Sequence, residues 1–112
     1  LRTVCNTLLD YSIHVNGMNE EQALDLLVNQ AFQQEAEAKG KWKRATLSQV
    51  QLCSYFTGFH EIMELRNELK NQQVEEFNLK AFHEEFLSFG SAPVKYVREL
   101  MLNADEQLAK SE

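Results

Sequence analysis

Apolar residues return every three or four positions along almost the whole chain, and a pattern of that period buries one side of an α-helix. One Pro and four Gly in 112 residues are too little punctuation for the many turns of a small all-β domain. Leu1, Val4, Leu8, Tyr11 and Val15 mark the first stripe, widened by Cys5, Leu9 and Ile13, which predicts a largely buried helix from Leu1 to Val15. Asn16-Gly17 ends it. Asn19, with Gln22 three positions on, predicts a capping box opening a second helix over Glu20 to Phe32, with Ala23, Leu24, Leu27, Val28 and Ala31 inside.

Gln33 to Arg44 is polar, helix-favouring and interrupted by Gly40, which predicts a short exposed helix. Thr46 or Ser48 then caps a long helix reaching Gln72, with Leu52, Tyr55, Phe56, Phe59, Ile62, Met63 and Leu69 along its apolar line. Gly58 inside that helix costs about 1 kcal/mol relative to Ala, which predicts close approach by a neighbouring backbone or a ligand. Asn78 caps a helix carrying Leu79, Phe82, Phe86 and Phe89, and Gly90-Ser91 breaks it. Pro93 fits the first turn of a last helix whose inward face is Val94, Val97, Met101, Ala104 and Leu108. The expectation is all-α: an irregular bundle of five or six helices around one long central helix, with residues 1–112 a single helical domain.

Hydrophobic residues at 44% and charged residues at 25% are those of a globular chain, which excludes disorder and a disulfide-dense miniprotein. A net charge of −6, from 17 acidic against 11 basic residues, argues against nucleic acid or an anionic membrane as partner. No apolar run approaches the roughly 20 residues that span a bilayer. The chain opens on Leu1 in mid-helix pattern, which predicts a piece of a longer protein. Cys5 and Cys53 lie in apolar stretches and read as free buried thiols rather than a disulfide or a metal pair.

Chemistry-bearing residues are scattered. Asp10 and His14 stand four apart on a helix, so the carboxylate either orients the imidazole as a base or ligand, or simply satisfies a half-buried His. His60-Glu61 with Glu64 has half of the H-E-x-x-H pattern, which places two imidazoles on one helix face, but the second His is missing; His83-Glu84 is weaker still. Lys39, Lys41, Lys43 and Arg44 surround Trp42, either as a phosphate contact with a stacking indole or as a solvated face with Trp42 tucked against the body. There is no Gly-rich phosphate loop, nucleophile elbow or C-x-x-C, and no metal site or cofactor is expected in this chain.

Several segments, taken in order, resemble one family. Arg2 through Asp10 to Ile13-His14, Gly17-Met18 and Glu21-Gln22-Ala23 resemble its R-x-V-V-D-T-G-L-H, G-W and E-Q-A signatures. Gln51-Leu52-Cys53-Ser54-Tyr55-Phe56-Thr57-Gly58 resembles its Q-A-L-S-Y-K-L-G, and Glu64-Leu65-Arg66 the L-R that follows. Phe77-Asn78-Leu79-Lys80-Ala81-Phe82-His83 and Gly90-Ser91-Ala92-Pro93 resemble its F-D-L-R-x-F-H and G-S-x-P. On these motifs the chain resembles the C-terminal part of the bacterial domain-of-unknown-function family 885, whose full-length members resemble helical zinc metallopeptidases of the gluzincin type. Three departures stand out: the family's P-G before Q-A-L-S-Y is Gln49-Val50 here, the Lys after Tyr is Phe56, and the Trp after Gly is Met18.

The resemblance implies that the zinc-binding helix lies N-terminal to this region, so zinc would belong to the full-length parent and the isolated chain would be inert. It also implies one wall of a substrate cleft, with Tyr55 before Gly58 as oxyanion donor and His14 lining the cleft; Tyr55 as an ordinary core aromatic is the other reading. The expected function is thus the C-terminal helical part of a zinc-dependent peptidase or hydrolase. Its partners would be the rest of the parent chain and a peptide-like substrate. The alternative is a noncatalytic helical module that binds a partner protein.

Overall fold

The computed structural model describes the backbone of residues 1–109 and the side chains of residues 1–103. Six α-helices are present and no strand occurs among the described residues: α1 (Arg2–His14), α2 (Glu20–Leu24), α3 (Glu35–Leu47), α4 (Ser54–Gln72), α5 (Leu79–Ser88) and α6 (Val94–Ala109). A π-helical segment, Asp25–Gln30, continues α2, and a 3-10 turn, Gln51–Cys53, leads into α4. The all-α expectation holds. The chain divides into two compact units, Leu1–Thr57 and Gly58–Glu112.

In the first unit the punctuation works as its chemistry requires. Gly17 takes a left-handed φ of +68° after α1, and the Asn19–Gln22 capping box forms, with backbone-to-side-chain distances of 2.9 and 3.1 Å. The core gathers Leu9, Ala23, Leu27, Ala38, Ala45 and Leu52, with Ile13, Met18, Leu24, Leu26, Val28 and Trp42 packed on it. Two alanines on α3, seven apart, let that helix approach closely, and Trp42 lies between them on the same face.

Four expectations are corrected here. The buried face of α1 is Cys5, Leu9 and Asp10, whereas Leu1, Val4, Leu8, Tyr11 and Val15 are exposed; the helix carries two apolar stripes and the narrower one faces the core. The second helix stops at Gln30, because its last turns widen to π geometry: Ala31 N–H reaches Leu26 O, five residues back, at 2.9 Å. α3 runs unbroken through Gly40 and is half core rather than an exposed helix, since Ala38 and Ala45 are fully buried. Thr46 lies inside α3 and Ser48 follows it, so neither caps α4, which starts only at Ser54 after the 3-10 turn.

Val50 sits in that intervening turn at φ +69°, a conformation crowded for any β-branched side chain. Its side chain is mostly exposed, so little burial offsets the strain. The family pattern places Gly at this position, the residue that adopts φ > 0 freely. Val50→Gly is therefore expected to stabilise the chain by about 1 kcal/mol, the relief of left-handed strain less the added unfolded-state entropy, as measured by urea denaturation.

The second unit packs Leu65, Leu69, Phe82, Val97 and Met101 at its centre, with Ile62, Phe77, Phe86, Phe89 and Leu102 around them. Asn78 caps α5 as expected, its Oδ1 accepting the Ala81 N–H at 3.0 Å, and Gly90 ends the helix at φ +66°. Arg98 is paired with Glu68. Ala104 and Leu108, expected on the inward face of α6, lie outside the residues whose side chains are described. The close approach expected at Gly58 is not found: a Cβ built there would meet nothing within 4 Å.

Candidate functional site

Asp10 and His14 lie one turn apart on α1, yet each is bound chiefly to backbone and not to the other. Asp10 is 2% exposed, and its two carboxylate oxygens accept the N–H groups of Val50 and Leu52, each at 3.1 Å. The nearest Asp10 oxygen is 3.6 Å from His14 Nε2, beyond a hydrogen bond. Nε2 instead faces the carbonyls of Ala45 at 2.9 Å and Ser48 at 3.1 Å. Both are acceptors, so Nε2 carries the proton and donates, capping the end of α3. The expected i, i+4 pair is thus a bracket: α1 supplies an acid for the turn after α3 and a donor for the last carbonyls of α3.

This bracket fixes the start of α4, and with it Tyr55. The Tyr55 side chain is 61% exposed, and its hydroxyl has no hydrogen-bond partner among the described residues, so it is no core aromatic. His14 keeps a side-chain exposure of 21%. Sequence spacing indicated the proximity of Asp10 and His14 but missed their true partners, which lie 31 to 42 positions away. The one available signal was the family's Gly at position 50, which marks a left-handed turn needing outside support.

Cys53 lies beside the same carboxylate. Burial, then the charge and hydrogen bonding of Asp10, push its thiol above the ordinary value. A raised pKa means less thiolate at any given pH. Cys53 is therefore expected to alkylate more slowly than a free thiol at pH 8, with its rate rising only at higher pH; Asp10→Asn should shift that profile back down. Iodoacetamide labelling followed by mass spectrometry across pH reads both. Cys5 and Cys53 are free thiols, as expected.

The remaining candidates separate. His60 Nδ1 is 3.4 Å from Glu64 on an exposed face of α4, and no three His, Cys, Asp or Glu side chains converge as metal ligands among the described residues. His83 is exposed, with its ring 5.6 Å from that of Phe82. Around Trp42, Lys39 pairs with Glu35, and Lys41 donates to Gln33 Oε1 at 2.7 Å. Burial holds the Lys41 ammonium below its ordinary value. Trp42 packs on the core, as the solvated-face reading required. No described helix is long and apolar enough to cross a membrane.

Fold and site together define an all-α module whose most buried polar group braces its own backbone and whose phenol faces solvent. The chain belongs to the family described as bacterial protein of unknown function (DUF885), whose model matches residues 1–101. It is similar to a solved structure from Shewanella oneidensis described as a "putative lipoprotein of unknown function", at 65% identity and a TM-score of 0.89. The match covers 90% of this chain and 18% of that one, so the chain spans under a fifth of the length of this relative. No curated protein matches the chain.

Proposed function

We propose that this chain is the C-terminal helical part of a zinc-dependent peptidase or hydrolase, where it forms one wall of the substrate cleft. The observation that carries this reading is the Tyr55 hydroxyl, exposed and unpartnered at the first turn of a helix whose start is braced by buried Asp10. A phenol so placed can donate to an oxyanion developing on a peptide-like substrate, and the positive end of the α4 dipole favours charge at the same place. His14 lines the cleft; its Nε2 is committed to backbone, which leaves Nδ1 for a substrate donor. The donor set of this segment does not fit a zinc site, so zinc and its ligands belong to the rest of the parent chain and no step through the metal is assigned here. The much longer relative supports a segment that works within a larger polypeptide.

In the full-length parent, Tyr55→Phe is expected to lower kcat about 100-fold with little change in KM, measured on a peptide the parent cleaves. Equal activity of the two proteins overturns the oxyanion role.

The exposed stripe on α1 favours a second reading, a noncatalytic module that binds a partner protein through Leu1, Val4, Leu8, Tyr11 and Val15. An H-E-x-x-H helix upstream in the parent supports the hydrolase; its absence supports the module.

A further inference from the structure

The face of α3 opposite its buried alanines carries Gly40, Lys43, Arg44 and Leu47. With Ser48 and Gln51 these residues line an open groove of about 540 Å³. The unit Leu1–Thr57 holds five basic residues, Arg2, Lys39, Lys41, Lys43 and Arg44. Arg2 and Lys41 lie against Glu37 and Lys39 pairs with Glu35. Lys43 and Arg44 have no carboxylate partner among the described residues, and both line the groove. In a chain of net charge −6, the two unpaired cations of this unit therefore stand side by side over one concavity that no carboxylate lines.

The walls are suited to an anion with an apolar body. Arg44 Nη2 donates to Gln51 Oε1 at 2.7 Å, which holds the guanidinium at the groove while leaving further N–H donors for a two-point contact. The backbone carbonyls at this end of α3 would repel an anion, but they are engaged: Ser48 Oγ donates to Arg44 O, and His14 covers Ala45 and Ser48. Leu47, largely exposed, and the methylene stems of Lys43 and Arg44 offer apolar surface beside the charges. Gly40 keeps the trough open, since a Cβ built there would meet no neighbouring atom.

We infer that this groove binds a carboxylate carried on an aliphatic group, with Arg44 and Lys43 holding the carboxylate and Leu47 the chain. The site is independent of the hydrolase reading and of Tyr55. Two sources share this chemistry: the C-terminus of a peptide ending in an aliphatic residue, and a free medium-chain fatty acid.

The test is a titration of the isotope-labelled chain, followed by amide NMR shifts. The probes are an acetylated tripeptide ending in a free Leu carboxylate, the same peptide as its C-terminal amide, and octanoate. The free-acid peptide or octanoate should shift amides between Gly40 and Gln51 saturably, with a dissociation constant on the order of 1 mM. The peptide amide should bind at least tenfold more weakly. Response to the peptide alone assigns a peptide terminus, and response to octanoate alone a fatty acid. Lys43→Ala and Arg44→Ala should each weaken binding about fivefold or more, Arg44→Lys less than Arg44→Ala, and Lys39→Ala not at all. Gly40→Leu, which keeps the charges and the helix, should also block binding by filling the trough. Absence of saturable shifts with both acids, equal binding of acid and amide, or indifference to Lys43 and Arg44 overturns the proposal.

Discussion

Asp10→Ala is expected to destabilise the Leu1–Thr57 unit by about 2–5 kcal/mol, because it strands two buried N–H groups, each costing about 1–3 kcal/mol without an acceptor. Both bonds reach across the fold to Val50 and Leu52, and Val50 is already strained at φ +69°, so no local interaction can take their place. Asp10→Asn keeps one acceptor oxygen but points its amide donors at the other N–H, and should fall between wild type and Asp10→Ala. Urea denaturation gives the free energies. Hydrogen exchange at Val50 and Leu52 should accelerate in both variants. A loss below about 1 kcal/mol for Asp10→Ala would show that the carboxylate is not what fixes the turn.

Leu9→Ala should cost about 3–4 kcal/mol, while Leu8→Ala, its neighbour in sequence, should cost less than about 1 kcal/mol. Leu9 is fully buried, whereas Leu8 is 48% exposed on the opposite stripe. Truncating Leu9 leaves a cavity among Ala23, Leu27 and Leu52, whose surroundings are already small or tightly packed. The ratio of the two losses in this chain tests which stripe of α1 faces the core, and a larger cost for Leu8 would reverse that assignment. Repeated in the full-length parent, the Leu8→Ala cost measures how far additional polypeptide covers the stripe.

Helix content, the capping box at Asn19, the cap at Asn78 and the left-handed glycines at 17 and 90 were legible in sequence, because each is decided within a few residues. What escaped depends on contacts far along the chain. Two stripes of similar periodicity run down α1, and only the position of Leu27, Ala45 and Leu52 decides which is buried. The π segment escaped because its apolar residues also satisfy the α period, the extra width appearing only in the hydrogen bonds. At the site, sequence spacing placed Asp10 near His14 but could not reveal that Ala45, Ser48, Val50 and Leu52 are their partners. Tyr55 came to notice through the family resemblance, and its exposure is a fact of the fold. Lys43 and Arg44 looked like two of four equivalent cations until ion pairing set them apart.

The widened turns at Asp25–Gln30 also record a history. A π segment is geometrically an α-helix that has accepted one extra amino acid without unwinding. Asp25 anchors this one, its carboxylate drawing in the amides of Asn29 at 2.7 Å and Gln30 at 3.0 Å, four and five positions on. Deleting a single residue there would restore regular winding and turn everything downstream by about 100°. Ala31 and Gln33, both sunk in the interior, would swing away from it. The loop to α3 is thus set in register by what amounts to a tolerated insertion, and relatives that lack it must reach α3 by a different route.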